Sequence, residues 1–243
     1  MNRIVLMVLN NLAAAPGAWI KLCRYAKNPE KYTEKEMYGH IQYILQEAIK
    51  GGNVSVEVHG QENIPEENGF LLTSNHQGMF DILAIVANCD NPMGGVYKIE
   101  LDNKGKGIPL IKEIIRCTKS FAMDRSDVRQ SLTVIQNVTE ELKKGRNYLI
   151  FPEGTRSRNG NVMGEFHGGS FRCAVKAKAP ILPIAVIDCH RILDEKGSKP
   201  LTAQVHFLKP IPYEEYQDMK PAELAALVKS RIAEKIQECT QGG

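Results

Sequence analysis

His76 and Asp81 stand five positions apart in the run NHQGMFD, residues 75–81, between an apolar strand-like stretch and an apolar helix-like one. An imidazole takes a proton well near neutral pH if one ring nitrogen is free and an acceptor holds the other. Asp81 is placed to be that acceptor, fixing the tautomer and stabilising the imidazolium as the proton arrives. Gly78 permits the tight turn between them. A plainer reading makes Asp81 a helix cap and leaves His76 without a role. The spacing taken alone does not choose between the two.

Three further positions supply charge. In FPEGTRS, residues 151–157, backbone amides around Gly154 and Thr155 can converge on one anion, with the Thr155 hydroxyl and the Arg156 guanidinium added. Glu153 either accepts a substrate hydroxyl or braces Arg156; the bland alternative is a polar turn with a surface salt bridge. In SFAMDRSD, residues 120–127, Arg125 follows a short strand and precedes a helix N-terminus, a place that favours anions. Lys98, in VYKIEL, also follows an apolar strand. A His–Asp pair and two or three cations, each beyond a strand end, suggest a phosphorylated substrate with a reactive hydroxyl.

Other chemistries find little support. HGGSF around Ser170 lacks the G-x-S-x-G pattern of a serine nucleophile, and neither a Walker A loop nor a dinucleotide loop occurs. The six histidines show no metal-ligand spacing, and no metal is expected; of the others, His167 is the one expected to approach the site. The six cysteines are scattered without CxxC pairs, which points away from disulfides and towards a reducing compartment. A net charge of +3 with both signs mixed along the chain gives no reason to expect nucleic acid.

The elements that must hold these residues follow from periodicity. Strands at Val54–Val58, Phe70–Thr73, 92–99, Ser120–Met123, Tyr148–Phe151, Ile181–Ile187 and Ala203–Leu208 alternate with helices. The helices begin near Asp81, at Ile108–Arg116, after a cap at Ser126, at Phe171–Lys178 and at Pro221. In the helix after Ser126, Val128, Leu132, Ile135, Val138 and Leu142 form the expected inward face. The alternation predicts an α/β fold with a mixed, largely parallel central sheet flanked by helices. In such sheets, sites gather beyond the carboxyl ends of the strands.

Residues 1–52 read as a two-helix membrane-associating hairpin ahead of a catalytic domain at 53–243. Thr33 and Glu36 fit a capping box, and Gly51-Gly52 ends the second helix. In the first segment Arg3, Asn10, Gly17 and Arg24 recur every seven residues as a narrow polar stripe on an apolar rod, and Pro16 should bend or interrupt it. The run is too broken for a transmembrane span and only faintly matches a signal peptide. Trp19 among Lys21, Arg24, Lys27 and Lys31 suits a lipid headgroup layer. Docking on the protein's own core is the competing use of that apolar face.

In this order the clusters resemble the lysophospholipid acyltransferase family, and within it the bacterial 1-acyl-sn-glycerol-3-phosphate acyltransferases. NHQGMFD matches the N-H-x4-D signature, SFAMDR looks like the second block, FPEGTRS matches the third, and APILPIAV, residues 179–186, resembles the fourth. YKIEL with Pro109 looks like the lysine-containing segment. Gly78, Met79 and Phe80 depart from the frequent residues at their positions, and Lys119 stands near where a leading glycine is usual.

The resemblance implies acyl transfer from acyl-CoA or acyl-carrier protein to the free hydroxyl of lysophosphatidic acid. In that reading His76 is the base and Asp81 its brace. Arg125 and Arg156, with Lys98 as a third candidate, hold the phosphate, and Glu153, Gly154 and Thr155 shape the pocket. No cofactor is implied beyond the thioester co-substrate. The membrane-associated enzyme would sit at the cytoplasmic face. Another lysolipid acceptor, a lipid hydrolase or a catalytically silent lipid-binding protein are the alternatives.

Overall fold

A computed structural model of the chain describes residues 3–101 and 109–241. The elements run α1 (Arg3–Leu9), α2 (Ala15–Lys27), α3 (Glu34–Gly51), β1 (Val54–His59), β2 (Leu71–Ser74), α4 (Phe80–Ala87), β3 (Met93–Lys98), α5 (Pro109–Cys117), β4 (Phe121–Met123), α6 (Val128–Lys143), β5 (Asn147–Ile150), α7 (Arg172–Ala177), β6 (Ile181–Ile187), α8 (Cys189–Asp194), β7 (Leu201–Phe207), α9 (Tyr213–Tyr216) and α10 (Pro221–Gln241). Ile108, the expected first residue of α5, lies outside the described residues.

The strands form one seven-stranded sheet in the order β1-β7-β6-β2-β5-β3-β4. Every neighbouring pair is parallel except β6 with β7. The alternation of side chains divides the core in two. Leu72, Leu149, Leu182, Ile184 and Val186 face one layer, with the apolar faces of α1 to α5 and α8. Leu71, Tyr148, Ile150, Ile181, Ala185 and Ile187 face the other, with α6, α7 and α10. β2, β5 and β6 are buried along their whole length. That burial explains why their sequences are apolar runs rather than alternations.

Residues 3–51 fold as three helices. Pro16 stands in the first turn of α2, where its missing N–H costs nothing, so the chain breaks after Leu9 and restarts at Ala15. Only the first half of the polar stripe, Arg3 and Asn10, bonds to the rest of the protein; Gly17 and Arg24 are exposed. Arg3 is buried and donates to the carbonyls of Gly52 at 2.8 Å and Lys199 at 3.0 Å. Asn10 donates to the Gly51 carbonyl and Asn11 to that of Glu47. The apolar side chains of Ile4, Val5, Val8, Leu9, Leu12 and Ile20 are left exposed. The capping box on α3 forms as expected, with Thr33 and Glu36 each accepting from the other's backbone amide. None of the described helices is long and apolar enough to cross a membrane.

The start of α6 differs from expectation. Asp127, not Ser126, caps it, accepting from the Arg129 and Gln130 amides, while Ser126 donates its hydroxyl to Asp124. Val128 and Leu132 are exposed, and Val134, Val138 and Leu142 carry the buried face. The apolar periodicity of α6 is wider than the one face that the sheet covers. Phe171–Lys178 also divides: Gly168–Phe171 is a 3-10 turn, α7 occupies six residues, and Lys178 ends it in the left-handed region at φ 55°.

Candidate active site

β2 and β5 are parallel neighbours with Thr73 opposite Ile150, so the residues that follow them emerge side by side at one end of the sheet. His76 follows β2 and the Phe151–Ser157 loop follows β5. Lys98 lies opposite Met123 across β3 and β4, which brings Lys98 and Arg125 out at the end of a parallel pair two places along the same sheet.

The turn after β2 is closed by Asp81, the second residue of α4, which is fully buried. Its Oδ2 accepts from His76 Nδ1 at 2.8 Å, from the Gln77 amide at 2.6 Å and from the Gly78 amide at 2.9 Å. Capping and ring-holding are therefore the same act, and the two readings of Asp81 do not exclude each other. An ionised carboxylate only accepts, so Nδ1 must carry the proton and Nε2 keeps its lone pair. Nε2 makes no hydrogen bond among the described residues, and the His76 side chain is 20% exposed. The ring stacks on Phe151, with centroids 4.2 Å apart and planes at 23°.

The loop after β5 grips the His76 backbone. Glu153, buried, accepts the His76 amide on Oε1 at 2.7 Å and the Gly164 amide on Oε2 at 2.7 Å. The Ser157 amide donates to the His76 carbonyl at 2.8 Å. Both oxygens of Glu153 thus each hold a backbone amide, contacts that the spacing of FPEGTRS does not announce, and a carboxylate with four lone-pair sites keeps acceptor capacity beside them. Burial pushes its carboxyl above the ordinary value, and the two amides and nearby His76 oppose the shift.

The cations are arranged unequally. Gly154 adopts φ 70°, and a Cβ there would stand 3.8 Å from Arg125 Nη1 and 3.6 Å from His167 Cδ2. Arg125 and His167 thus both reach the loop after β5; a Cβ would fit there at ordinary contact distance, and it is the left-handed backbone that favours glycine. Desolvation lowers the Arg125 pKa from its ordinary value, against the attraction of Glu100. Arg156 is exposed and makes no ion pair among the described residues. Thr155 is exposed beside it. Lys98 is not free: its Nζ pairs with Glu100 at 2.7 Å. No group of three His, Cys, Asp or Glu gathers among the described residues in a way that could hold a metal ion.

Several functional contacts escape a reading of the sequence. Asn75 clamps both backbone groups of Val186 in β6, donating and accepting at 2.9 Å. Gln77 reaches Asn161 and Val186, and Phe151 floors the His76 ring. Asn75 and Gln77 flank the histidine, which is the one local signal. Asn161 and Val186 lie 84 and 109 residues from Gln77 and gave none.

A family model described as Acyltransferase matches residues 55–187, more than half of the chain. A 1-acyl-sn-glycerol-3-phosphate acyltransferase of Pseudomonas aeruginosa is 38% identical over 133 residues, 54% of this chain and 49% of that protein. The 1-acyl-sn-glycerol-3-phosphate acyltransferase alpha of Ovis aries is 29% identical over 195 residues, 77% of this chain and 61% of that protein. The chain thus spans about half the length of the curated relatives it matches. The crystal structure of the 1-acyl-sn-glycerophosphate (LPA) acyltransferase PlsC from Thermotoga maritima shares the fold, with a TM-score of 0.78 at 24% identity, covering 98% of this chain and 96% of that one. The matched span takes in β1 to β6 and every strand end that carries the residues above, and over it this chain belongs to the acyltransferase family.

Proposed function

We propose that the protein transfers a fatty acyl group from acyl-CoA or acyl-carrier protein to the sn-2 hydroxyl of 1-acyl-sn-glycerol-3-phosphate, giving phosphatidic acid. The observation that carries this is the His76–Asp81 pair at 2.8 Å with Nε2 unengaged, next to a loop that Arg125 approaches. The names of the relatives supply the acceptor.

In this reading Nε2 of His76 takes the proton of the sn-2 hydroxyl as its oxygen attacks the thioester carbonyl. Asp81 carries the charge that develops on the imidazolium. Collapse of the tetrahedral intermediate breaks the carbon–sulfur bond, and the departing thiolate recovers the proton from His76. Arg125 and Arg156 hold the acceptor's phosphate, with Lys98 joining if it leaves Glu100. Gly154 and Thr155 form the floor of that pocket, and Glu153 shapes it from beneath by fixing the His76 backbone. No cofactor or metal enters the cycle.

The exposed apolar residues of α1, α2 and the turn between them seat the protein on the cytoplasmic face of a membrane as a monotopic enzyme, since this many exposed apolar side chains in one short segment suits such a contact. Residues 1–52 act as the membrane-associating part and 53–243 as the catalytic part. A lysophospholipid then reaches the site without leaving the lipid layer.

The test is an assay of purified protein with lysophosphatidic acid and acyl-CoA or acyl-carrier protein, following free thiol and phosphatidic acid. Phosphatidic acid should form in step with thiol, and His76→Ala should abolish it. Arg125→Ala and Arg156→Ala should raise the acceptor KM. Free fatty acid without phosphatidic acid would point to a hydrolase instead, and turnover only with another lysolipid would move the acceptor.

A further inference from the structure

We propose that Gln77 is a positioning residue. It locks the loop of residues 154–161 to the turn that carries His76, and so sets the span between the base and the cations that hold the acceptor's phosphate. The inference rests on the acyl-transfer reading above.

Gln77 is buried at 3% exposure, and all of its amide valences are used. Its Nε2 donates to Asn161 Oδ1 at 2.7 Å and to the Val186 carbonyl at 3.0 Å. Its Oε1 lies 3.3 Å from both the amide and Nδ1 of His190. The backbone end of Gln77 is fixed as well, because its amide donates to Asp81. A buried amide this completely satisfied holds one orientation, since any rotation leaves polar groups without partners.

Asn161 completes the lock. Its Oδ1 accepts from Gln77 and from the Asp188 amide at 2.9 Å, and its Nδ2 donates to Asp188 Oδ1 at 2.9 Å. Asn75, on the other side of His76, binds the same Val186 peptide but does not reach the loop. The ends of the loop are therefore tied to the catalytic turn by different means. Near its start, Glu153 and the Ser157 amide hold the His76 backbone. At its far end the tie is the side-chain pair Gln77–Asn161. Between Ser157 and Asn161 the chain passes through two left-handed residues, Arg158 at φ 54° and Gly160 at φ 58°. Such a path persists where its surroundings over-determine it.

This geometry has a consequence for selectivity. In a glycerol 3-phosphate acceptor the sn-2 oxygen and the phosphorus are joined through only two carbons and one oxygen. A phosphodiester acceptor has the same span, with its extra alcohol beyond the phosphorus, so a base and an Arg156 loop locked to each other select by the limited room left around the phosphate. A bulkier phosphodiester headgroup would need the loop to yield.

Asn161→Ala removes the far tie while leaving the contacts of His76, Asp81 and Glu153 in place. Losing the bond to Gln77 together with the two to Asp188 should raise the KM for lysophosphatidic acid about tenfold or more with kcat within about threefold, and lower selectivity over lysophosphatidylcholine by roughly the same factor. Gln77→Ala should lower kcat as well, and the double variant should bind the acceptor about as well as Gln77→Ala, because the bond to Gln77 is what ties Asn161 to the catalytic turn while its bonds to Asp188 lie outside it. Amide hydrogen exchange of the 154–161 segment should speed up in Asn161→Ala, with protection of β2 and β5 unchanged. Wild-type KM and selectivity in Asn161→Ala would overturn the proposal, as would an equal loss of kcat on every acceptor or unchanged exchange. If the wild-type protein forms no phosphatidic acid, the acyl-transfer reading fails and exchange alone decides the lock: faster exchange sustains it and unchanged exchange refutes it.

Discussion

Glu153 and His76 are joined through the main chain. The buried carboxylate accepts the His76 amide at 2.7 Å, while the imidazole of the same residue turns away to Asp81. One residue is thus held by two carboxylates, one for its backbone and one for its ring. Glu153→Ala strips the partner from two buried amides, those of His76 and Gly164, at about 1–3 kcal/mol each. Glu153→Gln keeps one acceptor and should lose about half as much. Thermal unfolding should place the Glu153→Gln variant below wild type and the Glu153→Ala variant lowest, with kcat falling in the same order. An acceptor KM that rises while stability and kcat stay level would return Glu153 to a direct substrate contact.

Asp81→Asn keeps the size of the side chain but lowers its power to serve three donors. An amide oxygen can still cap the Gln77 and Gly78 amides, whereas the imidazolium loses its counter-charge. The expected result is a kcat loss of about a hundredfold or more with a smaller change in KM. Steady-state kinetics over pH check it, and a variant within about threefold of wild type would remove Asp81 from the chemistry.

The exposed apolar side chains of α1, α2 and the turn between them can be tested without truncation. Removing residues 1–27 would also remove Arg3, Leu22, Tyr25 and Ala26, which are buried against the rest of the protein. Val8→Glu with Leu12→Glu alters side chains that are 54% and 58% exposed, so stability should change by no more than about 0.5 kcal/mol per site. Sedimentation with phospholipid vesicles should drop sharply. Unchanged vesicle binding would place the membrane contact elsewhere.

His206 links stability to pH. It packs on His59, ring centroids 4.5 Å apart, near Gln204, Lys235, Glu238 and Cys239. Burial, then the charges of His59 and Lys235, push it from 6.5 down to about 4, with Glu238 opposing. Between those values the unfolded chain binds the proton and the folded protein does not. Its contribution is therefore complete above pH 6.5 and is lost as pH falls towards 4, on the order of 3 kcal/mol at most. His206→Gln should flatten the fall of thermal stability across that window. An equally steep fall in the variant would assign the acid sensitivity to other groups.

The amino-acid sequence by itself determined the strand and helix alternation, because buried parallel strands and amphipathic helices impose their own periods on side-chain polarity. It also placed His76, Asp81, Arg125 and the FPEGTRS turn, since these are local departures from polarity at strand ends. It could not tell which face of α1 meets water and which meets protein. Arg3 is polar yet buried, Asn10 bonds to the fold from the surface, and their partners are carbonyls about 40 to 200 residues away. Val128 and Leu132 show the converse, apolar on a helix whose covered face lies elsewhere. The contacts of Glu153, Gln77 and Asn161 were likewise decided by tertiary structure alone. A hydrogen bond between side chain and distant backbone leaves no period and no spacing in the chain, and it exists only once the parallel register of β2, β5 and β6 brings their ends together.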